Sequence, residues 1–304
     1  MADQHGWVIA VIGASEEWLP TYHHSGMHYM YIGDEGIVNV DQFSLQGNSM
    51  KGLRQAYNRL HNKGYTADIF ELTGGRYVTK YRESGDRKDD ATDARDKDGE
   101  QVECSTMRND IQPLLDSSRQ GDFERGFSMM LGRVCDARDE GTLMCVVRNA
   151  TGSPAALCHF VPAHSINGYS LDLMRWDKKG DHPNGLIDFA LCTTISYLAR
   201  EGKRGLSLNF AAMRAIFERE KGDGAVQRLQ YWAYKRMSSA MQMESLWKFN
   251  AKYKPEWYPR YVAYDSLEYA LPVGLACFRA EALVDFPVVG KVISATSRHG
   301  PAEH

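Results

Sequence analysis

Two apolar segments joined by a turn, Thr142-Leu-Met-Cys-Val-Val147 and Ala155-Ala-Leu-Cys-His-Phe-Val161, decide the fold class. Both have the composition of β-strands, and the segment Asn149-Ala-Thr-Gly152 between them carries turn residues, so the sequence predicts a β-hairpin. Downstream we expect a strand over residues 169–174, a helix over 186–200, a strand over 206–210 and a helix over 225–241. Antiparallel strands followed by alternating helices and strands predict an α+β fold with a mixed sheet.

The segments upstream predict elements of the same kinds. The clearest is an amphipathic helix over residues 51–63, in which Leu53, Ala56 and Leu60 share one face and Gly64 ends the helix. Further helices are predicted over 16–26 and 109–117, and strands over 7–12, 29–32, 36–40 and 65–72. Gly33-Asp-Glu is predicted to form the turn between two of those strands.

Residues 82–103 are charged and contain almost no large apolar side chain. Such a stretch cannot bury enough apolar surface to offset the entropy lost on ordering. We therefore expect a mobile insertion between two lobes, with the domain boundary in it or just after it.

The composition bounds the class of protein. With 304 residues, 43% of them hydrophobic and 25% charged, the chain has the material for one large domain or two ordinary ones. Its six cysteines form no CxxC pair and no metal-site spacing, which favours buried thiols in a reducing compartment. No apolar run approaches the roughly 18 residues of a membrane span, and from the residues after Met1 we expect no leader peptide. We expect any contact with a membrane to come from the side.

A cationic and aromatic stretch lies at residues 243–264. It places four cations among five large rings: Lys248, Lys252, Lys254 and Arg260 with Trp247, Tyr253, Trp257, Tyr258 and Tyr261. The wider segment 200–265 carries 13 lysines and arginines against 7 acidic residues, in a chain of net charge −3. Two interpretations are open. One is an anionic partner with aromatic stacking, and the other is a helix end followed by a buried, Pro-stiffened strand with solvated cations.

A set of short motifs, in this order along most of the chain, resembles the cytosolic catalytic domain of the phosphatidylglycerol lysyltransferase family, which includes the multiple peptide resistance factors and their actinobacterial relatives. Each motif is weak alone, and the ordered set is specific. The motifs are Gly33-Asp-Glu with Ile37-Val38, Leu53-Arg-Gln-Ala-Tyr-Asn-Arg59, Gly64-Tyr-Thr66, Gly126-Phe-Ser-Met-Met-Leu-Gly132, Ser170-Leu-Asp-Leu-Met-Arg175, Pro183-Asn-Gly185, Leu206-Ser-Leu-Asn-Phe-Ala211, Glu244-Ser-Leu246, Asn250-Ala-Lys-Tyr253, Pro255-Glu-Trp257 and Pro259-Arg-Tyr261.

The resemblance implies two tandem acetyltransferase-like (GNAT) folds. They would comprise a first lobe at 1–105, incomplete at its N-terminus, and a second, catalytic lobe at 106–304 with a C-terminal helix. Two departures are visible. Family members carry membrane helices upstream and a first lobe that begins earlier, and the charged insertion at 82–103 has no family counterpart.

The resemblance also implies a transferase that moves an amino acid, lysine, from aminoacyl-tRNA to a hydroxyl of phosphatidylglycerol. It would act at the cytoplasmic face of the cell membrane and change the surface charge of that membrane. Exchange of one ester for another is near thermoneutral, so we expect no cofactor and no metal. Two alternatives stay open: transfer to a different lipid, peptide or small-molecule acceptor, and a non-catalytic lobe that docks on a membrane or a partner.

Asp172 and Arg175 stand near the end of a predicted strand, within one of the family's motifs. If the strand continued through both, alternation would place them on opposite faces; a break at Met174 would let both line one cleft, and the resemblance favours the break. The resemblance assigns Asp172 to the substrate's amino group or to base duty, and Arg175 to phosphate or the oxyanion. The alternative is a surface salt bridge.

Glu244 is a carboxylate in an otherwise apolar run, which makes it a candidate partner for a cationic amino acid. A helical ion pair with Lys248, four residues later, is the alternative.

Four further residues are candidates for substrate binding. Lys252 and Arg260 suit the phosphates of the tRNA acceptor end or the lipid headgroup, and otherwise are solvated cations. Trp257 suits the terminal adenine or a lipid channel, with a buried Trp in a rigid turn as the alternative. Asn209 suits donation to a carbonyl oxygen, with a turn cap as the alternative.

Overall fold

The computed structural model describes residues 7–83, 99–118, 131, 133–212, 214 and 247–280. Within these ranges the strands are β1 (Ala10–Ser15), β2 (His28–Asn39), β3 (Thr66–Thr73), β4 (Arg76–Glu83), β5 (Gln101–Glu103), β6 (Leu143–Arg148), β7 (Pro154–Ala163), β8 (Gly168–Trp176), β9 (Gly205–Ala212) and β10 (Glu256–Tyr264). The α-helices are α1 (Leu19–His24), α2 (Lys51–Asn62), α3 (Cys104–Ser118), α4 (Leu186–Arg200) and α5 (Ala270–Ala280), and residues 247–251 are also helical.

The described strands form one sheet in the order β1-β10-β2-β9-β8-β7-β6-β3-β4-β5. Every neighbouring pair is antiparallel except β8 and β9, which are parallel and are joined by α4. A parallel pair needs such a crossover connection, since a short hairpin can only reverse the chain. The predicted α+β fold with a mixed sheet is confirmed.

Local sequence patterns located several elements correctly. The predicted hairpin is β6 and β7, and the amphipathic helix at 51–63 and the helix at 186–200 are α2 and α4. In α2 the apolar face buries Leu53, Ala56 and Leu60. These predictions hold because helical periodicity and turn residues act over a few positions.

The turn predicted at Gly33-Asp-Glu is wrong, because β2 runs through these residues without a break. The strand has a partner on each side, β10 and β9, so ladder hydrogen bonds on both edges hold it extended. Gly33 has a packing role: a Cβ there would lie 2.5 Å from the carbonyl oxygen of Ala211 on β9. The glycine thus marks close backbone contact.

The mobile insertion predicted over residues 82–103 is wrong at both of its ends, which strands occupy. Strand β4 extends to Glu83, and β5 pairs with it over residues 101–103. Residues 84–98 and the helix predicted over 225–241 lie outside the described residues. The first strand begins at Ala10, three residues after the predicted start. The division into lobes at residue 105 stays a prediction.

Among the described residues, two large apolar clusters lie between the sheet and its helices, one with Leu60 of α2 and Phe189 of α4 and one with Ile111 of α3. Smaller clusters include Val273 of α5 and Leu19 of α1. All six cysteines are free, and all except the half-buried Cys104 are buried, as predicted. Among the described helices, none combines the length and the apolar character needed to cross a membrane.

Candidate functional site

A cleft of about 1090 Å³ lies where β8 and β9 separate. The two strands pair only over residues 168–170 and 205–207. Beyond that point Asn209 adopts a positive φ of 70° and its amide Nδ2 donates to the carbonyl oxygen of Leu171 at 3.2 Å. A β-bulge follows at once in β8, because Leu171 pairs with Phe160 and Leu173 with His159, which leaves Asp172 as the extra residue. Bulges of this kind re-aim a side chain at a functional site.

The described wall of the cleft carries more negative than positive side chains. Its carboxylates are Glu16, Glu17, Glu35, Asp172 and Glu256, and its arginines are Arg204 and Arg260. The Tyr258 hydroxyl in the same wall donates to Glu256 at 2.6 Å, and this hydrogen bond, with partial burial, raises the pKa of Tyr258. The phenol is therefore protonated at neutral pH. Such a wall favours a cationic ligand group.

Asp172 is buried and both of its carboxylate oxygens are engaged. The backbone N–H of Leu131 donates to Oδ1 at 2.5 Å, and Nδ1 of His159 lies 2.9 Å from Oδ2. His159 is itself 1% exposed. Because a carboxylate accepts and does not donate, this pairing needs the His159 proton on Nδ1. The carboxylate is thereby held in one orientation.

Arg175 lies on the same strand, and the break predicted at Met174 is wrong because β8 continues to Trp176. The bulge shifts the alternation by one residue, so Asp172 and Arg175 share the face that also carries Leu173. Arg175 Nη1 donates to the carbonyl oxygen of Met174 at 3.0 Å. Among the described residues, Arg175 is not part of the cleft wall.

Arg260 forms an ion pair with Glu35 inside the cleft wall. Its Nε donates to Glu35 Oε2 at 3.0 Å and its Nη2 donates to the same oxygen. The other carboxylate oxygen, Oε1, accepts from the buried hydroxyl of Ser207 at 2.5 Å. Three adjacent strands, β10, β2 and β9, thus contribute to one network.

Trp257 packs against a second arginine and lies outside the described cleft wall. The guanidinium of Arg214 lies 4.7 Å from the centre of the indole ring, within the range of a cation–π interaction. Arg214 also pairs with Asp34 at 2.8 Å, and both side chains are buried. Asp34 and Glu35, consecutive on β2, therefore each hold an arginine.

Lys252 is held by helix α4 and likewise lies outside the described wall. Its Nζ is 2.5 Å from Oδ1 of Asp188, and the same oxygen accepts from the Tyr253 hydroxyl at 2.6 Å. Burial and the Asp188 carboxylate raise the pKa of Tyr253 well above its usual value.

The structure therefore brings three of the seven predicted residues, Asp172, Asn209 and Arg260, to one cleft, and Glu244 lies outside the described residues. Sequence reasoning missed Glu35 and Ser207 as members of the site. The acidic pair in Gly33-Asp-Glu was visible, but its assignment to a turn concealed its role.

Comparisons with known proteins converge on one family. The model of the phosphatidylglycerol lysyltransferase C-terminal domain matches residues 1–75 and 97–264. The lysylphosphatidylglycerol biosynthesis bifunctional protein LysX of Rhodococcus opacus is 32% identical over 306 residues, which cover 100% of this chain and 24% of that protein. LysX of Rhodococcus jostii is 33% identical over 293 residues, which cover 96% of this chain and 24% of that protein. The chain thus spans about a quarter of the length of these curated relatives.

Two solved structures share the fold. The structure of L-PGS from Bacillus licheniformis superimposes with a TM-score of 0.68 at 22% identity, and covers 93% of this chain and 75% of that chain. The C-terminal domain of a putative lysylphosphatidylglycerol synthetase from Agrobacterium fabrum gives a TM-score of 0.63 at 20% identity. The match covers 91% of this chain and 73% of the Agrobacterium chain.

Proposed function

The chain belongs to the family of phosphatidylglycerol lysyltransferase C-terminal domains, and from this premise we propose that it transfers a lysyl group from lysyl-tRNA to a hydroxyl of phosphatidylglycerol. The observation that carries the proposal is the extent of the family match, since residues 1–75 and 97–264 include every described residue of the cleft wall. The family model leaves out residues 76–96, which include most of the charged stretch.

The reaction exchanges one ester for another. The lipid hydroxyl oxygen bonds to the lysyl carbonyl carbon, the bond from that carbon to the ribose oxygen breaks, and the hydroxyl proton ends on the ribose oxygen. We assign Asp172 to this proton or to the substrate's amino group, because its carboxylate is oriented by two hydrogen bonds beside the cleft. Arg260 and Asn209, in the same wall, would bind phosphate and a carbonyl oxygen.

The charge of the wall supports lysine as the transferred amino acid. The lysyl side chain carries an ammonium group at neutral pH, and five carboxylates face it against two arginines among the described wall residues. An anionic or apolar aminoacyl side chain would gain nothing from these charges.

Four residues outside the described wall keep their proposed roles. Arg175 would contact phosphate or the oxyanion, Lys252 a phosphate of tRNA or lipid, and Trp257 the terminal adenine or the lipid. Glu244 would contact the amino group of lysine.

We propose two acetyltransferase-like units, at 1–105 and 106–304. The parallel pair of β8 and β9, which α4 joins and which diverges at the bulge in β8, supports the second unit. Strands of the two proposed units alternate in one sheet, because β2 lies between β9 and β10, and β3 lies beside β6.

With phosphatidylglycerol as acceptor, the chain would act at a membrane surface, which we propose to be the cytoplasmic one, where charged tRNA is present.

The test incubates the 304-residue chain with tRNA carrying labelled lysine and with vesicles containing phosphatidylglycerol. Lipid-borne label is expected with lysyl-tRNA, and less with alanyl-tRNA or without phosphatidylglycerol. Label in a water-soluble product other than free lysine, which hydrolysis of lysyl-tRNA also releases, would favour a different acceptor. Vesicle binding without any transferred label, across several charged tRNAs, would contradict the proposal and favour a docking lobe.

A further inference from the structure

The ion pair of Glu35 and Arg260 occupies only one edge of the arginine. A guanidinium is planar and has two edges that each present a pair of parallel N–H groups. Nε and Nη2 both donate to Oε2 of Glu35, which uses the first edge. On the second edge, Nη1 donates to the carbonyl oxygen of Pro259 at 3.4 Å, a long and weak contact.

Glu35 is itself fixed from the opposite side. Its Oε1 accepts from the hydroxyl of Ser207, which is fully buried on β9. The Ser207 oxygen in turn accepts from the backbone N–H of Asn209 at 3.1 Å, and the Asn209 amide reaches Leu171 on β8. The carboxylate is therefore part of a network that extends from Arg260 to the residue before Asp172.

The exposure of the pair fits a shared role. The side chains of Arg260 and Glu35 are 19% and 22% exposed, so the pair is screened from bulk water yet reached from the cleft. An arginine without its carboxylate would have many rotamers, and binding a ligand would then cost the entropy of ordering it. A carboxylate that fixes the first edge removes that cost.

We infer that Glu35 is a positioning residue: it holds the Nε edge of Arg260 so that the opposite edge receives a phosphodiester in the cleft. This inference rests on the proposed function, in which both substrates carry phosphodiesters, the lipid in its headgroup and the tRNA in its acceptor end. The two non-bridging oxygens of a phosphodiester match the paired N–H groups of a guanidinium edge. Glu35 acts through Arg260 and does not touch the reacting atoms.

The experiment compares Glu35→Gln, Arg260→Lys and the double variant with the unaltered chain. KM is measured for phosphatidylglycerol at saturating lysyl-tRNA and for lysyl-tRNA at saturating lipid, so that the two sources of phosphate are separated. We expect Glu35→Gln to raise one of the two KM values about tenfold with kcat nearly unchanged, because a charge-assisted contact contributes on this scale. Arg260→Lys should raise the same KM at least as much, and adding Glu35→Gln to it should change little.

Asp110→Asn is the matched control. Asp110 pairs with Arg148 at 2.5 Å, and Arg148 is 19% exposed like Arg260, but the described cleft wall contains neither. Loss of the ion pair between Asp110 and Arg148 should leave both KM values unchanged. A fall in kcat at constant KM for Glu35→Gln, or independent effects of the two single variants, would overturn the inference.

A direct binding measurement separates this inference from the proposed function. Affinities of the same variants are determined without turnover, by cosedimentation with phosphatidylglycerol vesicles and by filter binding of lysyl-tRNA. If the unaltered chain transfers no lysine, the proposed function fails. The pairing is still supported if Glu35→Gln lowers the binding affinity of the unaltered chain but does not lower that of Arg260→Lys. Equal affinities of all variants would overturn it.

Discussion

Replacing Asp172 separates its charge from its hydrogen bonds. In Asp172→Asn the remaining Oδ1 still accepts from the Leu131 N–H, and the new amide donates to His159 once that ring moves its proton from Nδ1 to Nε2. We expect a loss of stability of about 1 kcal/mol. Transfer activity should fall by about 10²- to 10⁴-fold, the usual effect of removing a general base.

Asp172→Ala removes both hydrogen bonds as well as the charge. The Leu131 N–H and the His159 Nδ1–H lose their acceptor, and each unsatisfied buried donor costs about 1–3 kcal/mol. The expected destabilisation is therefore about 2–6 kcal/mol, a large part of the roughly 5–15 kcal/mol that stabilises a typical domain. Urea unfolding measures these differences, and initial rates of lysyl transfer measure activity.

Asp68→Asn is the control for both variants. Asp68 is as buried as Asp172 and binds Arg82 at 2.5 Å, but it lies outside the described cleft wall. It should lose stability and keep the transfer rate per folded molecule. Full activity of folded Asp172→Asn would refute the assignment of Asp172, and an equal loss in Asp68→Asn would show that the assay reports stability.

Two further predictions concern the fold. Gly168→Ala places a Cβ 1.8 Å from the carbonyl oxygen of Gly205 in the parallel junction, so we expect a loss of about 3 kcal/mol or more by urea unfolding; Gly52→Ala, in open space on α2, should not destabilise, and equal stabilities would contradict the packing. Burial raises the pKa of Cys135 to about 11 and of Cys145 and Cys192 to about 12. These thiols hold their protons more tightly in the folded chain than in the unfolded chain, where the thiol pKa is near 9. Their contribution to stability is therefore complete below about pH 9 and is lost as the pH rises toward 12. The free energy of unfolding should therefore be lower at pH 10 than at pH 8, and no decrease would contradict the burial of these thiols.

The parts of the fold that sequence predicted correctly depend on near neighbours. The apolar residues of α2 recur every three to four positions, and the turn between β6 and β7 consists only of residues 149–153. The cationic stretch at 243–264 shows where such reasoning ends. Its last part is strand β10, as one interpretation held, and that strand also carries Arg260 into the cleft wall. The anionic partner of the other interpretation stays a prediction. Composition alone could not decide between the two interpretations, because a strand presents alternate side chains to two faces and composition does not show which face each side chain takes.

The site itself depends on contacts between distant residues. Glu35 and Arg260 are 225 positions apart, and Glu35 and Ser207 are 172 positions apart, so no local pattern joins them. The bulge at Asp172 is equally hidden, because it arises from how β7 and β8 pair and shifts every later side chain by one position. The sequence therefore pointed to Asp172 and Arg260 through family motifs, but not to the partners that orient them.

The most direct test of the central claim is the amount of labelled lysine that the unaltered chain moves from lysyl-tRNA to phosphatidylglycerol in the vesicle assay. We predict lipid-borne label that rises with time, depends on the lipid, and falls at least a hundredfold in Asp172→Asn. Label no higher than in the absence of protein, with intact lysyl-tRNA and folded chain, would contradict the account.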